Sequence, residues 1–594
     1  MNPIRLQLPY HRRLLFFWLT LCVLITLLMV SPISSAMRFS AFLPGPKIAL
    51  AQAPAFDCTA VTEIPQSECQ ALVALYTSTN GATWLDKTNW LQSTTPCRWV
   101  GQTLNPNGWV GVECLLGNVS NITLESNRLT GTLPAAVGNL NNLKTLNLSN
   151  NQLTGALPRE LGNLPRLSLL ALNDNRFSGP IPTELGNLAS LSLLSLSTNY
   201  LSGPLPGELG KLATLHSLYL SNNRLTGAIP AQLGNLQQLT MLMLDGNQLS
   251  GPIPTSLTDL TQLEFLALGT NQLSGPLPPG LEKLTRLRTL NLGTNDLRGP
   301  LPPALATLSQ LESLYLNSNE LTGAIPAELG NLTNLKTLSL DGNQLSGAIP
   351  PTLGNLRYLE SLYLAVNDFT GPIPPELSRL TNLRELRLAY NQLSGPIPPQ
   401  LGQLTDLQVL QLQYNDLSGP LPPALGNLTQ LRWLLVQNNA LTGALPSELG
   451  NLLTLDDLNV GDNELSGALP ASLGNLTALR VLDLHSNHFS GAIPRNWASW
   501  SICATTICKT THCKAHCRRA PGSACASWKN STWITMASMP PCPACRSYWT
   551  PKRPAGPPRR RWRRPTWLPI SNRTAPLPSP GRPLPTPSTA ASMR

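Results

Sequence analysis

An asparagine returns every 24 residues without a slip, from Asn127, Asn151 and Asn175 through to Asn463 and Asn487, sixteen times in all. Around each the chain reads Leu-x-x-Leu-x-Leu-x-x-Asn-x-Leu-x-Gly-x-(Ile/Leu)-Pro-x-x-Leu-Gly-x-Leu. One copy is Leu335, Leu338, Leu340, Asn343, Leu345, Gly347, Ile349, Pro350, Leu353, Gly354 and Leu356. A fixed period of this length signals a solenoid whose coils stack into one continuous core. Most of the chain is therefore one elongated domain.

Each position has a physical reason. Leu338 and Leu340 alternate, as a strand requires when one face is buried. Asn343 ends that strand, where its side chain can satisfy backbone groups of the turn and of the neighbouring coil. Gly347 permits either a positive φ or a close coil-to-coil approach. Pro350 lacks a backbone donor and fits an outer arc without regular pairing.

This pattern resembles the plant-type, 24-residue class of leucine-rich repeat proteins, marked by Leu-x-Gly-x-(Ile/Leu)-Pro. The resemblance covers roughly residues 58–494. It implies an α/β solenoid: a right-handed superhelix of about 16 coils with a parallel β-sheet on its concave face and a helical amino-terminal cap. The cap is expected over 54–118 and the repeats over 119–494. Cys69 to Tyr76, Thr79 to Trp84, Trp90, Cys97-Arg98-Trp99 and Trp109 to Cys114 resemble the cap of that family. In the family, two cysteines flank a Trp and a Gly-Val pair, which implies a Cys97–Cys114 disulfide and leaves Cys58 for Cys69. Here about ten residues separate Trp99 from Trp109, a departure from the family's spacing. Trp84, Trp90 and Trp99 are expected to shield the first coil.

The net charge of +11 is misleading. Residues 1–53 hold five basic and no acidic residues, and 495–594 hold 17 basic and none acidic. That leaves 20 basic against all 31 acidic residues in 54–494, a repeat body of about −11. An anionic body argues against nucleic acid as a partner.

Arg5, Arg12 and Arg13 precede an apolar run from Leu14 to Val30 and then Ser34-Ser35-Ala36, the layout of a signal peptide over 1–36. Ala49 to Ala53 offers a second cleavage site, as late as 53. The alternative is an uncleaved anchor, the one membrane attachment the sequence allows. Either way the repeats lie outside the cytosol, secreted or at the cell surface. Cysteine usage agrees, since none of the twelve Cys falls between Cys114 and Cys503.

After Pro494 the pattern stops mid-unit. Cys503, Cys508, Cys513, Cys517, Cys542 and Cys545 near His512 and His516 suggest zinc. The genetic code offers a better account. Residues Arg495 to Ala504, reverse-translated and read two nucleotides further on, can spell Glu-Leu-Gly-Gln-Leu-Val-Asn-Leu-Arg-Tyr, the wording a repeat should have there. The segment 495–594 is expected to be a frameshifted, disordered tail without a metal site.

Sixteen strands about 4.8 Å apart present a concave face roughly 75 Å long, which is a binding surface. Its open columns concentrate aromatics and arginines over the coils ending at Asn367 to Asn439: Tyr363, Arg384, Arg387, Tyr390, Tyr414, Arg432 and Trp433. These residue types dominate interface hot spots, although aromatics on a sheet also stabilise neighbouring strands. Met241, Met243 and Phe265 form a second, apolar candidate. For catalysis there is little: His216, His485 and His488 lie beside no nucleophile pattern, and no Gly-rich phosphate loop occurs. The expectation is a non-enzymatic, cofactor-free extracellular scaffold for a protein or peptide ligand. The alternative is the ectodomain of a receptor-like signalling protein whose downstream part is lost or hidden by the frameshift.

Overall fold

The computed structural model describes residues 56–100 and 103–499. The expected signal segment and nearly all of the expected tail, including its cysteines, lie outside the described residues.

Each coil repeats one path. In the coil of Asn343, a three-residue strand, Thr337–Ser339, is followed by a left-handed turn, a second strand, Gln344–Ala348, and a 3-10 helix, Pro351–Asn355. The first strands pair in parallel and in register from Asn118–Thr123 to Val481–Asp483. The second strands build another parallel sheet, from Thr130–Thr132 to His488–Ser490, on the segment where the sequence suggested an unpaired arc. Pro350 does escape the ladder. It precedes the 3-10 helix, and its carbonyl accepts the Leu353 N–H at 3.1 Å.

Leu338, Leu340, Leu345, Leu353 and Leu356 are fully buried and meet their equivalents one coil away. Truncating one such leucine to Ala should cost about 2–5 kcal/mol. The polar complement is the asparagine ladder. Asn343 Nδ2 donates to the carbonyls of Leu316, one coil back, and Leu340, at 2.9 and 3.0 Å, while its Oδ1 accepts the Leu321 N–H at 3.1 Å. A buried backbone group without such a partner would cost about 1–3 kcal/mol.

The two glycines of the repeat serve different needs. Gly347 has φ +80° with its nearest neighbour at ordinary contact distance, so its need is conformational. A Cβ on Gly354 would lie 2.3 Å from the Glu376 carbonyl oxygen of the next coil, so its need is close approach.

The cap covers the first coil with the helix Gln66–Ser78 and an antiparallel strand, Val112–Leu115, against Asn118–Thr123. Disulfides join Cys58 to Cys69 and Cys97 to Cys114. The tryptophan expectation needs one correction. Trp84 and Trp90 are buried, but Trp99 is 38% exposed on the short strand Trp99–Val100, which lies between Thr103–Leu104 and Val112–Leu115. Trp109 takes the inner place, 4.9 Å from Trp90 between ring centroids, with its indole N–H on the Ser93 carbonyl.

Solenoid geometry continues past 494 to the 3-10 helix Arg495–Ser499, beyond the expected start of disorder. Asn496 Nδ2 reaches the Ala471 carbonyl at 2.6 Å, and Trp497 is buried where other coils carry leucine. Two side chains that fit the repeat hold this turn in place.

Candidate functional site

The first strands order the concave face. The central leucine of each is buried, and its two flanking side chains form columns along the sheet. Register aligns Ser361, Glu385, Val409, Trp433, Asp457 and Val481 in one row, the outward row. Tyr363, Arg387, Gln411, Leu435, Asn459 and Asp483 form the other.

Tyr363 and Arg387 are brought together. The Tyr363 hydroxyl donates to Glu385 Oε2 at 3.0 Å, Arg387 Nη2 donates to the same oxygen at 2.6 Å, and the guanidinium lies 4.8 Å from the Tyr363 ring centroid. Burial, and then the hydrogen bond to Glu385, raises the Tyr363 pKa. These side chains are already engaged with one another, so part of their role is cross-strand stabilisation.

Tyr390 and Tyr414 lie elsewhere, one residue before the asparagine, in the turn after the strand. All sixteen residues at this place are left-handed, including Val366 at φ 57°, Tyr390 at 54° and Tyr414 at 56°. Only Asn, Asp and Gly adopt that conformation readily, and a β-branched valine there is strained. The two tyrosine rings stack at 4.4 Å with 11° between planes, both exposed on the rim of the concave face.

Arg384 and Arg432 precede their strands by one residue, in a column whose charge pattern the sequence analysis does not draw on. Along it charges alternate: Glu264, Arg288, Glu312, Lys336, Glu360 and Arg384. Arg288 pairs with Glu264 at 3.8 Å and Glu312 at 2.9 Å, Lys336 with Glu312 at 2.7 Å, and Arg384 with Glu360 at 3.1 Å. The signal was available, since sign alternation at 24-residue spacing can be read directly. Each exposed pair is worth ~0.2–1 kcal/mol at most, and together they neutralise this edge. Arg432 forms no ion pair among the described residues.

Trp433 is 40% exposed on the outward row. At the far end His485 bridges Asp483 through Nδ1 and Asp462 through Nε2, the latter at 2.9 Å, and its pKa is raised chiefly by the Asp483 hydrogen bond. In the second candidate, the Tyr219 hydroxyl meets Met241 Sδ at 2.7 Å. Among the described residues no group of three or more His, Cys, Asp or Glu side chains is arranged to hold a metal ion.

Sequence profiles described as leucine-rich repeat region match residues 276–396 and 375–501, and those described as leucine rich repeat match 117–177 and 213–273. No curated protein matches the sequence. Among solved structures, the plant peptide hormone receptor RGFR1 in complex with RGF2 is 37% identical, with 65% of this chain and 62% of that chain covered, at TM-score 0.63. The chain thus spans less than two thirds of that receptor chain. The ectodomain of the Arabidopsis receptor kinase HAESA, in complex with an extended IDA peptide hormone, is 30% identical over 73% of this chain and 80% of that one, TM-score 0.52. A leucine-rich repeat protein of Leptospira interrogans is 36% identical over 62% and 91%, TM-score 0.52.

Proposed function

This chain belongs to the plant-type leucine-rich repeat family, and from that premise we propose that it is a non-catalytic recognition scaffold taking a peptide or protein segment on its concave face. The observation that carries this reading is the departure of one stretch of that face from the small polar residues around it, with Tyr363, Arg387, Tyr390, Tyr414, Arg432 and Trp433 within four coils. Aromatic and arginine side chains combine large contact area with little rotamer entropy, which suits them to recognition. The similarity to ectodomains solved with peptide hormones supports the class of ligand.

The two disulfides favour a compartment outside the cytosol. We assign residues 1–36 to a signal segment, cleaved as late as 53, with the cap over 54–118, repeats over 119–494 and a frameshifted tail after them. A receptor ectodomain is the second reading, favoured by the receptor relatives.

A randomised peptide library displayed against the purified chain tests the proposal. Selected peptides should lose binding to a Tyr363→Ala, Tyr390→Ala, Trp433→Ala triple variant and keep it for Glu328→Ala and Glu376→Ala on the outer arc. Equal loss in both sets, or loss in neither, overturns it.

A further inference from the structure

The carboxylates near the carboxyl-terminal end of the concave sheet are not equivalent. Glu360 has Arg384 at 3.1 Å, Glu385 has Arg387 at 2.6 Å, and Asp456 has Arg480 at 2.6 Å. Asp462 and Asp483 share His485. Among the described residues Asp457 forms no ion pair, and its Oδ1 is buried without a hydrogen-bond partner. It stands between Trp433 and Val481 in the outward row, with Asp456 beside it and Asp483 on the next strand. Both row neighbours are open, Trp433 at 40% and Val481 at 47% exposure. A carboxylate without an ion pair thus stands between two exposed apolar side chains, one of them an indole, in the arrangement that attracts a cation.

We propose that Trp433, Asp457 and Val481 form a subsite for a basic side chain, the ammonium or guanidinium of a Lys or Arg in an extended peptide lying along the concave face. The inference rests on the reading of that face as a peptide-binding surface. An extended ligand fits, because its alternate side chains descend on a sheet at a pitch matched to pockets between coils. The aliphatic stem of the basic residue packs on Trp433 and Val481 while its charge meets the carboxylate. An acidic or neutral side chain leaves Asp457 without a counter-charge.

Burial, then repulsion from Asp456 and Asp483, pushes the Asp457 pKa up to about 6. The charged groups around it are Asp456 just before its own strand, Arg432 just before the preceding one, Arg480 just before and Asp483 at the end of the following one, and Asp462 and His485 in the turns. Acid therefore opposes a basic ligand twice, by protonating Asp457 and by charging His485.

The probe is a set of capped heptapeptide libraries with the central position fixed as Lys, norleucine or Glu, titrated against the full chain. The Lys set should bind about tenfold tighter than the norleucine set at pH 7 and lose that preference by pH 5. Asp457→Asn should abolish the preference while leaving norleucine binding unchanged and, at pH 5 where Asp457 is largely protonated, thermal unfolding as well. A Lys preference that persists in Asp457→Asn, or its absence in the parent, overturns the subsite. If the sets bind equally and Tyr363→Ala still weakens all three, the concave reading survives alone. If none binds, both fall.

Discussion

Asn127 closes its side chain on the backbone of Asp86: its Oδ1 accepts the Asp86 N–H at 2.6 Å, and its Nδ2 donates to the Asp86 carbonyl at 2.7 Å. In every later coil the same side-chain groups bind backbone of the preceding coil, as Asn151 does with Leu124 and Leu129. The loop at Asp86 thus stands in for a missing coil, and the cap is attached by the same device that joins the repeats.

Asn127→Ala should break both bonds to the exposed Asp86 backbone and cost about 1–3 kcal/mol. Because the cap has a repeat on one side only, it should melt first, seen as an early change in the fluorescence of Trp84, Trp90 and Trp109. Asn343→Ala, with coils on both sides, should lower stability without a separate early phase. Coincident transitions in both variants would show that the ladder does not hold the cap.

Much of this was legible because the repeat writes the same constraint sixteen times. Asn343, Leu338 and Leu345 each have one physical task, and periodicity averages out local noise. The second sheet was not legible: Gln344–Ala348 pairs through only a few residues before proline ends it, too short for a strand signal. Tyr390 and Tyr414 were read as strand positions because nothing in Thr, Val or Tyr announces a left-handed backbone. The Tyr363–Glu385–Arg387 group needs a column and its neighbour considered together. Asp457 escaped because its distinction is the absence of an ion pair among the described residues, which only the folded structure reveals.

Disulfide removal gives a second prediction. The Cys97–Cys114 bridge spans 17 residues, and the Cys97 N–H also donates to Glu63 Oε2 at 3.0 Å. Cys97→Ser with Cys114→Ser should cost about 2–4 kcal/mol through loop closure. Peptide mapping of unreduced material should recover both pairs as cystines, and free thiols at 97 and 114 would contradict the fold of the cap.

Stability should rise on mild acidification. Glu68 is buried on the cap helix and its pKa is raised by burial, against the Val119 N–H bond at 2.7 Å; Asp457 is raised to about 6, and His485 is raised by Asp483. A group whose folded pKa exceeds its unfolded value contributes stability below the unfolded pKa and loses it as pH climbs through the folded one. For Asp457 the window runs from about pH 4 to just above 6. Allowing for its partial exposure the effect is ~1–2 kcal/mol. Denaturant titrations at pH 5 and 7 should differ in that direction, and Asp457→Asn should narrow the gap. An unchanged gap would exclude Asp457 as its source.

The reading frame yields a fourth expectation. Asn496 and Trp497 still occupy repeat positions, the second in a leucine slot. One inserted or deleted base near codon 495 should restore the 24-residue period when the gene is resequenced. An intact frame with no Leu-x-Leu-x-x-Asn in any shifted reading would remove the frameshift account and reopen the zinc reading of the cysteines beyond.

The last expectation separates recognition from scaffolding residue by residue. Tyr363 is tied to Glu385 and Arg387, and Tyr390 is stacked on Tyr414, so replacing either tyrosine by Ala should lower stability by about 0.5–1.5 kcal/mol. Trp433 is the most exposed ring on the outward row between Val409 and Asp457, and Trp433→Ala should leave thermal unfolding nearly unchanged. For a ligand on this face, a true hot spot should nonetheless cost about 2 kcal/mol, roughly thirtyfold in affinity. Trp433→Ala is therefore the variant in which binding and folding come apart. If it loses stability while affinity holds, the indole is a sheet-stabilising side chain and the binding surface lies elsewhere.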